Sequence, residues 1–361
     1  MRRSEEKAEE DRMLRDSARR FLSEKRAWNS ERQYSSTDWQ HYVEMGWPGM
    51  GLPETLEGMN ADTDQCMMVM EEAGRVLLPD WIATDVAVIP HLARLTGNDE
   101  LRHVLSQVPY GNSRNAIVAA QNPATPLLCR KTGPQIEISG TSALVPGIAR
   151  ATHWIIVAED EAGAPTVILT TPFDTTTCMV KAYRLVDGRQ AGMVTFVDHA
   201  LSQSSILATG DEAATIAHEL RDASIAALIA ECIGAIDAGF DLTVEYLKTR
   251  KQFGQTLSSL QAVQHLMAEA YCDRENLRSL SMTMIAAMNG VPDQRRRAAS
   301  AAKAYLGRNG LRAISRCIQV SGGIALTEEY FLGHVYKRLQ TAAGLFGNSE
   351  THISLLARAS S

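Results

Sequence analysis

The sequence predicts an α+β protein that is mostly α-helical. It has an N-terminal helical domain, a middle antiparallel β domain and a C-terminal four-helix bundle. Apolar residues recur with a helical period before residue 113 and again after residue 208. Between these regions, short runs rich in Val, Ile and Thr alternate with turn-forming clusters, which is typical of strands. We therefore divide the chain into domains 1–112, 113–208 and 209–361.

The N-terminal domain reads as helices throughout. Residues 4–26 form an amphipathic pattern, with Met13, Phe21 and Leu22 on one face among charged residues. Residues 61–76 carry a stripe of methionines, which is typical of core filling. The predicted helices are 4–26, 37–45, 61–76, 77–95 and 98–107.

The middle domain shows short β-type runs with no helical pattern between them. Because neighbouring runs are joined by turn residues rather than helices, they favour an antiparallel sheet or a small barrel. The predicted strands are 116–120, 136–138, 154–158, 166–171 and 193–197.

The C-terminal domain contains long helical patterns with short joints, which is typical of a helical bundle. The first pattern contains a nearly continuous apolar stretch and is expected in the bundle core. Ser258 or Ser259 is expected to cap the second helix, and a Gly-Gly pair at 322–323 ends the third. The predicted helices are 212–249, 259–289, 293–320 and 327–343.

Composition excludes several classes of protein. The net charge of −6 does not suit a nucleic-acid scaffold. The six cysteines form no CxxC motif and no Cys/His pair has ligand spacing, so we expect reduced core thiols and no metal. There is no signal-peptide pattern and no run of about 18 apolar residues, so we expect no membrane span and a cytoplasmic location.

One stretch carries the most specific motif. Residues 246–264 read YLKTRKQFGQTLSSLQAVQ, with an Arg, a Phe-Gly break and a Gln between two long helical patterns. Residues 12–22, 46–54 and 69–75 (VMEEAGR) add N-terminal signatures, and QVSGGIALTEEY follows at 319–330. Together they resemble the acyl-CoA dehydrogenase family, flavoproteins that desaturate acyl-CoA thioesters between Cα and Cβ.

The resemblance implies an FAD-binding corner. Arg250 corresponds to an Arg that binds the FAD pyrophosphate of a neighbouring subunit, a role that suits a bidentate guanidinium. Phe253 corresponds to a Phe packed on the adenosine part, and Gln261 to a Gln that hydrogen-bonds the cofactor. Gly254 permits a sharp backbone turn before the next helix.

The resemblance also implies a second FAD contact at Gln319, Gly322 and Gly323, where glycines permit close approach of the backbone. A plainer alternative exists for both contacts. An Arg at position 250 caps the end of a helix, and the glycines are turn residues only.

Two stretches depart from the family's pattern near the flavin ring. The family carries a Thr-Glu-Pro-Gly-x-Gly-Ser-Asp run and a Trp-x-Thr motif there. The corresponding stretches are 119–126 and 143–149, and Leu144 and Pro146 replace the Trp and Thr. The flavin-ring half of the site therefore differs on this chain.

The catalytic base is also displaced. Phe346 occupies the position where most members carry a Glu, and Ser224 occupies the position that a minority use. Glu231 is the remaining candidate, an acidic residue two turns after Ser224 in an apolar stretch. Burial raises the pKa of a carboxyl, which suits a general base. The alternative is a buried hydrogen bond or ion pair in the bundle.

These departures resemble subunits of the heteromeric bacterial enzymes that act on bulky CoA thioesters, notably steroid side chains. The resemblance implies FAD-dependent α,β-desaturation of an acyl-CoA, an assembly with itself or a homologous chain as dimer or tetramer, and an electron-transfer flavoprotein as acceptor. Two alternatives stay open. One is a catalytically incomplete partner that completes the FAD site of a homologous chain, and the other is a flavin oxidase on the same fold.

Overall fold

The computed structural model describes residues 2–25, 28, 36–95, 97–121 and 124–358. It is mostly helical with one main sheet, which confirms the predicted fold class. The chain divides into two compact units. Unit 1 comprises Met1–Gln33, Thr63–Pro79 and Ile225–Ser361, and unit 2 comprises Tyr34–Asp62 and Asp80–Ser224. The division into three domains stays a prediction.

The α-helices and strands have the following bounds. The helices are α1 (Arg2–Lys25), α2 (Ser36–Glu44), α3 (Thr63–Arg75), α4 (Asp99–Ser106), α5 (Gly210–Thr249), α6 (Gln261–Ala287), α7 (Pro292–Tyr305), α8 (Leu311–Ser321), α9 (Phe331–Gly344) and α10 (Ser349–Arg358). The strands are β1 (Asn115–Ala119), β2 (Leu128–Thr132), β3 (Gln135–Pro146), β4 (His153–Glu159), β5 (Pro165–Thr170), β6 (Cys178–Arg184), β7 (Gln190–Ser202), β8 (Ile206–Thr209), β9 (Lys251–Gln252) and β10 (Gln255–Thr256).

Unit 2 is built on a sheet with the strand order β6-β7-β3-β2-β4-β5-β8, in which β1 also pairs with β4. All its pairs are antiparallel except β1–β4 and β2–β4, which are parallel. The sheet that was expected to be antiparallel is therefore mixed, with mostly antiparallel pairs. The β2–β3 hairpin intervenes between β1 and β4, so that β4 returns beside β1 in the same direction. The core contains Trp154, Ile156, Val194 and Phe196.

A buried acidic group fixes the chain that leads into this sheet. The pattern at 77–95 predicted one α-helix, but the structure has a π-helix (Thr84–Val88) followed by a 3₁₀ segment (Ile89–Leu95). Asp85 in the π-helix accepts hydrogen bonds from the backbone N and the Nδ2 of Asn115, at 3.0 and 2.8 Å. Burial raises the pKa of Asp85 to about 7.

Unit 1 contains a close helix crossing made possible by two glycines. A Cβ built on Gly74 of α3 would lie 1.9 Å from the carbonyl oxygen of Glu231 in α5. A Cβ on Gly234 would lie 1.8 Å from the carbonyl oxygen of Glu71 in α3. The glycines of α3 and α5 therefore allow the two helix backbones to approach closely. Salt bridges tie α1 to α3 beside this crossing, and Arg15 lies 2.9 Å from Glu71.

The bundle helices follow the predicted patterns with three differences. The helix expected at 293–320 is interrupted by a π-helical turn, Leu306–Gly310, between α7 and α8. Helix α10 was not predicted, because its ten residues carry too short a periodic signal. The cap expected at Ser258 or Ser259 is absent, since Leu260 holds the N-cap position of α6 without a side-chain hydrogen bond.

Helix α5 is apolar around most of its girth. Within the described residues it is the helix that is long and apolar enough to cross a membrane by length and composition. Glu231 and Asp237 interrupt its apolar stretch, so it is not an unbroken run of about 18 apolar residues. In the structure, 78% of its most apolar 18-residue window is buried, as expected for a core helix of a folded bundle.

Candidate functional site

A tight hairpin follows the end of α5. Strands β9 and β10 pair in antiparallel fashion, with Gln252 opposite Gln255. Phe253 and Gly254 join them with φ values of 54° and 79°. Two consecutive positive φ values in a two-residue connection are typical of a type I′ turn. The sharp turn expected at the Phe-Gly break is therefore present.

Phe253 is held in an unusual conformation. Its left-handed φ is unfavourable for a bulky residue, by about 1–3 kcal/mol. Its side chain is nevertheless 85% exposed, so packing within this chain does not offset that cost. A strained residue that presents an aromatic ring to the outside indicates a binding surface.

Arg250 and Gln261 flank this hairpin on its two sides. The Arg250 backbone N donates to Tyr246 O at 2.8 Å, and its carbonyl accepts from Leu257 N at 3.0 Å. Its side chain is exposed, and among the described residues none forms an ion pair or a carbonyl cap with it. The helix-capping alternative for Arg250 therefore gains no support. Gln261 is exposed at the first turn of α6.

The second predicted contact lies where α8 ends. Gln319 is exposed on the last turn, and Gly322 has a φ of 72°. Among the described residues, a Cβ on Gly322 or on Gly323 would meet no atom within 4 Å. The positive φ accounts for Gly322, whereas neither backbone nor packing in this chain requires a glycine at position 323.

One hydrophobic cluster brings the two predicted contacts together. It joins Leu247 and Leu257 beside the hairpin to Cys317 and Ala325 beside the turn at Gly322 and Gly323, which we call the glycine turn. The rings of Tyr246 and Tyr330 meet edge to face with centroids 6.4 Å apart. The motifs at 246–264 and 319–330, distant in sequence, therefore share one core in unit 1.

The two base positions of the resembled family hold no carboxylate. Ser224 is buried, and its hydroxyl donates to Leu220 O at 2.7 Å within α5. Phe346 lies between α9 and α10 in residues 345–348, which we call the 345–348 loop. Its φ is 58°, again a left-handed value for a bulky residue.

Glu231 lies in a buried ion pair. Its Oε1 accepts a hydrogen bond from Arg338 Nη1, and the two side chains are 6% and 2% exposed. Arg338 Nη2 also donates to the carbonyls of Leu77 and Leu78, at 3.2 and 3.0 Å. The pair thus links α5, α9 and the turn after α3. This is the structural alternative that the sequence left open, and the role of Glu231 as a base stays a prediction.

The stretches that depart from the flavin-ring motifs meet in unit 2. Gln121 Nε2 donates to Leu144 O at 2.9 Å, and Ser142 Oγ donates to Ala119 O at 2.6 Å. Residues 122 and 123 of the first stretch lie outside the described residues. The ends of β1 and β3 are thus neighbours.

Two buried side chains at the 345–348 loop were missed by sequence reasoning. Lys303 is fully buried and His352 is 1% exposed. Lys303 donates to the carbonyls of Ala343 and Gly347, and His352 Nε2 bonds Phe346 O. The sequence signal that could have indicated Lys303 is its position as a single Lys in an alanine-rich stretch.

Comparisons with known proteins agree on one family. The model "Acyl-CoA dehydrogenase, N-terminal domain" matches residues 8–106, and "Acyl-CoA dehydrogenase, C-terminal domain" matches residues 222–361. The acyl-CoA dehydrogenase IpdE2 of Mycolicibacterium smegmatis is 26% identical over 324 residues, covering 89% of this chain and 87% of that protein.

Two solved structures share the fold over nearly their whole length. A Tcur3481-Tcur3483 steroid ACAD variant has a TM-score of 0.86 and 24% identity, covering 98% of both chains. The ChsE4-ChsE5 complex from Mycobacterium tuberculosis has a TM-score of 0.86 and 18% identity, covering 96% of both chains.

Proposed function

The chain belongs to the acyl-CoA dehydrogenase family, and on that premise we propose that it takes part in FAD-dependent α,β-desaturation of an acyl-CoA thioester as a subunit of an oligomer. The family itself implies an oxidoreductase that acts on CH–CH groups. The observation that carries the proposal is the corner formed by Arg250, Phe253 and the glycine turn.

The residues of the corner fit FAD. A pyrophosphate needs donors and positive charge, and Arg250 offers an exposed guanidinium with no ion pair among the described residues. The adjoining N-terminus of α6 lacks a side-chain cap, so its first N–H groups add to a local positive potential. An adenine ring needs an apolar face, which Phe253 presents.

The glycine turn fits the same ligand. The open space around Gly322 and Gly323 would let a cofactor approach the backbone closely, with Gln319 supplying an amide beside it. As in the family, we expect the bound FAD to belong to a neighbouring subunit, so that Gln261 and the rest of the corner serve a site completed across an interface. When bound, FAD would supply the hydride acceptor, and we expect an electron-transfer flavoprotein to reoxidise it.

The chain's own part in the chemistry is positioning and polarisation. In the family, the backbone N–H at the base position helps to hold the thioester carbonyl. A backbone N–H is retained at Phe346, so carbonyl polarisation does not depend on the missing Glu. Abstraction of the α-proton needs a carboxylate, for which Glu231 is this chain's candidate and a partner chain is the other source.

A second candidate function follows from the base positions. Ser224 and Phe346 cannot abstract a proton, and Glu231 is engaged by Arg338. These observations favour a catalytically incomplete subunit that completes the FAD site of a homologous chain. One of the two similar structures is a complex of ChsE4 with ChsE5, and the other is a steroid ACAD variant. We therefore propose a homologous partner chain and a bulky steroid-type acyl-CoA substrate. The cytoplasmic location stays a prediction from the sequence.

The test is cofactor retention. Purify the chain alone, and also co-expressed with a homologous acyl-CoA dehydrogenase chain encoded beside it, and record the flavin absorbance of each. A yellow complex from a colourless chain supports the partner role, and a yellow chain alone supports a self-sufficient oligomer. Absence of flavin from both preparations refutes the proposed function.

Variants locate the cofactor in the corner. Arg250→Met removes a charge-assisted contact worth about 1.5–3 kcal/mol, so FAD affinity should fall about 10- to 100-fold. Phe253→Gly relieves the left-handed strain and removes the ring, so the hairpin should gain stability while FAD affinity falls. The matched control is Lys248→Met, which removes an exposed cation near the end of α5. Equal FAD loss in all three variants would contradict the assignment.

A further inference from the structure

One face of α7 forms a platform for the 345–348 loop. Ser300, Lys303, Ala304 and Gly307 follow helical spacing along α7 and its π-helical continuation. Ser349 Oγ donates to Ala304 O at 3.1 Å. A Cβ built on Gly307 would lie 2.3 Å from Ser349 Oγ. The start of α10 therefore rests directly on this face.

Lys303 holds the loop at both ends. Its Nζ donates to Ala343 O at 2.9 Å and to Gly347 O at 2.7 Å, on either side of Phe346. The side chain is fully buried. A buried ammonium that donates to two carbonyls makes strong, charge-assisted contacts, so removing it would release both ends of the loop.

His352 holds the centre of the loop. Its Nε2 lies 3.0 Å from Phe346 O, and because a carbonyl can only accept, Nε2 is the donor. Nδ1 lies 3.2 Å from Ser300 Oγ of the platform. A Cβ on Gly347, whose φ is 101°, would lie 3.2 Å from this ring, so the loop and the imidazole fit closely.

We infer that Lys303 and His352 are positioning residues that hold Phe346 in its left-handed conformation, so that the Phe346 peptide keeps a fixed orientation towards the thioester. The inference rests on the proposed function, in which Phe346 occupies the base position of the family. The conformation has a strain of about 1–3 kcal/mol, which three hydrogen bonds from buried donors offset. A fixed peptide N–H stabilises developing negative charge better than a mobile one.

The experiment has two readouts on four variants. Lys303→Met keeps the apolar stem and removes the ammonium, and His352→Leu removes the imidazole. His352→Gln restores a side-chain donor, and Glu350→Gln is the control, since it alters an exposed pair on the same turn of α10. The first readout is amide hydrogen exchange of the peptide covering residues 344–350 in the purified chain. The second is kcat and KM of the flavin-containing assembly with octanoyl-CoA and with a steroid side-chain acyl-CoA.

We expect Lys303→Met and His352→Leu to speed exchange in the loop at least about 10-fold. In the assembly, kcat should fall about 10- to 100-fold with KM and FAD content unchanged. His352→Gln should recover most of both losses, whereas the control should match the wild type. Recovery by Gln separates a positioning role from loss of folding.

Unchanged exchange in both variants would overturn the inference, as would faster exchange with an unchanged kcat. If the wild-type assembly shows no dehydrogenation, the proposed function fails and the inferred catalytic role is overturned with it. Loop exchange then reports separately on whether Lys303 and His352 hold Phe346.

Discussion

Glu231→Gln removes one charge from an ion pair that is sealed inside unit 1. Arg338, whose side chain is 2% exposed, would lose this carboxylate and keep the carbonyls of Leu77 and Leu78 as neutral acceptors. Breaking a buried pair from one side costs about 3–5 kcal/mol, because the remaining charge is left uncompensated. We expect a loss of that size in the free energy of unfolding.

The assay is urea denaturation at pH 7 followed by far-ultraviolet circular dichroism. Glu231→Gln, Arg338→Met and the double variant form a double-mutant cycle, and the double variant should be less destabilised than the sum of the two single changes. Glu245→Gln, an exposed position on the same helix, is the control and should change stability by less than about 0.5 kcal/mol.

The same variant separates the two roles of Glu231. A structural role predicts reduced stability, with activity that follows the folded fraction of the assembly. A catalytic base predicts normal stability with dehydrogenation abolished. Stability within about 0.5 kcal/mol of the wild type, or strict additivity in the cycle, would refute the reasoning from the ion pair.

Two further changes test features of the fold. Gly234→Ala places a methyl group within 1.8 Å of Glu71 O and should cost about 3 kcal/mol by calorimetry. Gly344→Ala, which meets no atom, should be neutral or slightly stabilising, and equal losses in the two would contradict the crossing. The pKa of Asp85 is raised from 3.8 to about 7, so its stabilising contribution is complete below pH 4 and is lost as pH rises through 7. Between pH 5 and pH 8 the wild type should therefore lose about 2–3 kcal/mol of unfolding free energy that the Asp85→Asn variant does not lose. An equal pH dependence of stability in the two proteins would refute this account.

Local pattern predicted the elements that carry strong local signals. Helix α5 was expected at 212–249 and spans Gly210–Thr249, because a long apolar stretch admits few alternatives. The turn at Phe253 and Gly254 followed from a Phe-Gly break between two helices. Strand β6 was missed because its sequence, CMVKAYR, lies at a sheet edge and carries little apolar alternation.

Partners that are distant in sequence could not be predicted. Arg338 pairs with Glu231 across 107 positions, and Lys303 bonds Gly347 across 44. Neither residue's own neighbourhood encodes which group it meets, since that depends on how helices pack in three dimensions. The sequence therefore identified Glu231 as a buried carboxylate with two possible roles, and the packing supplied the partner.

The discontinuity of unit 1 has a consequence for biosynthesis. Every residue of unit 2 precedes Ile225, so the ribosome completes that unit first. Helices α1 and α3 emerge before unit 2 is complete. Gly74 of α3 packs against the backbone at Glu231, which is made only after unit 2. The nascent chain therefore carries α1 and α3 without the helices that they pack against until the bundle has been made, and their apolar surface stays exposed until then. Truncation after Ser224 would leave α1 and α3 permanently in that state.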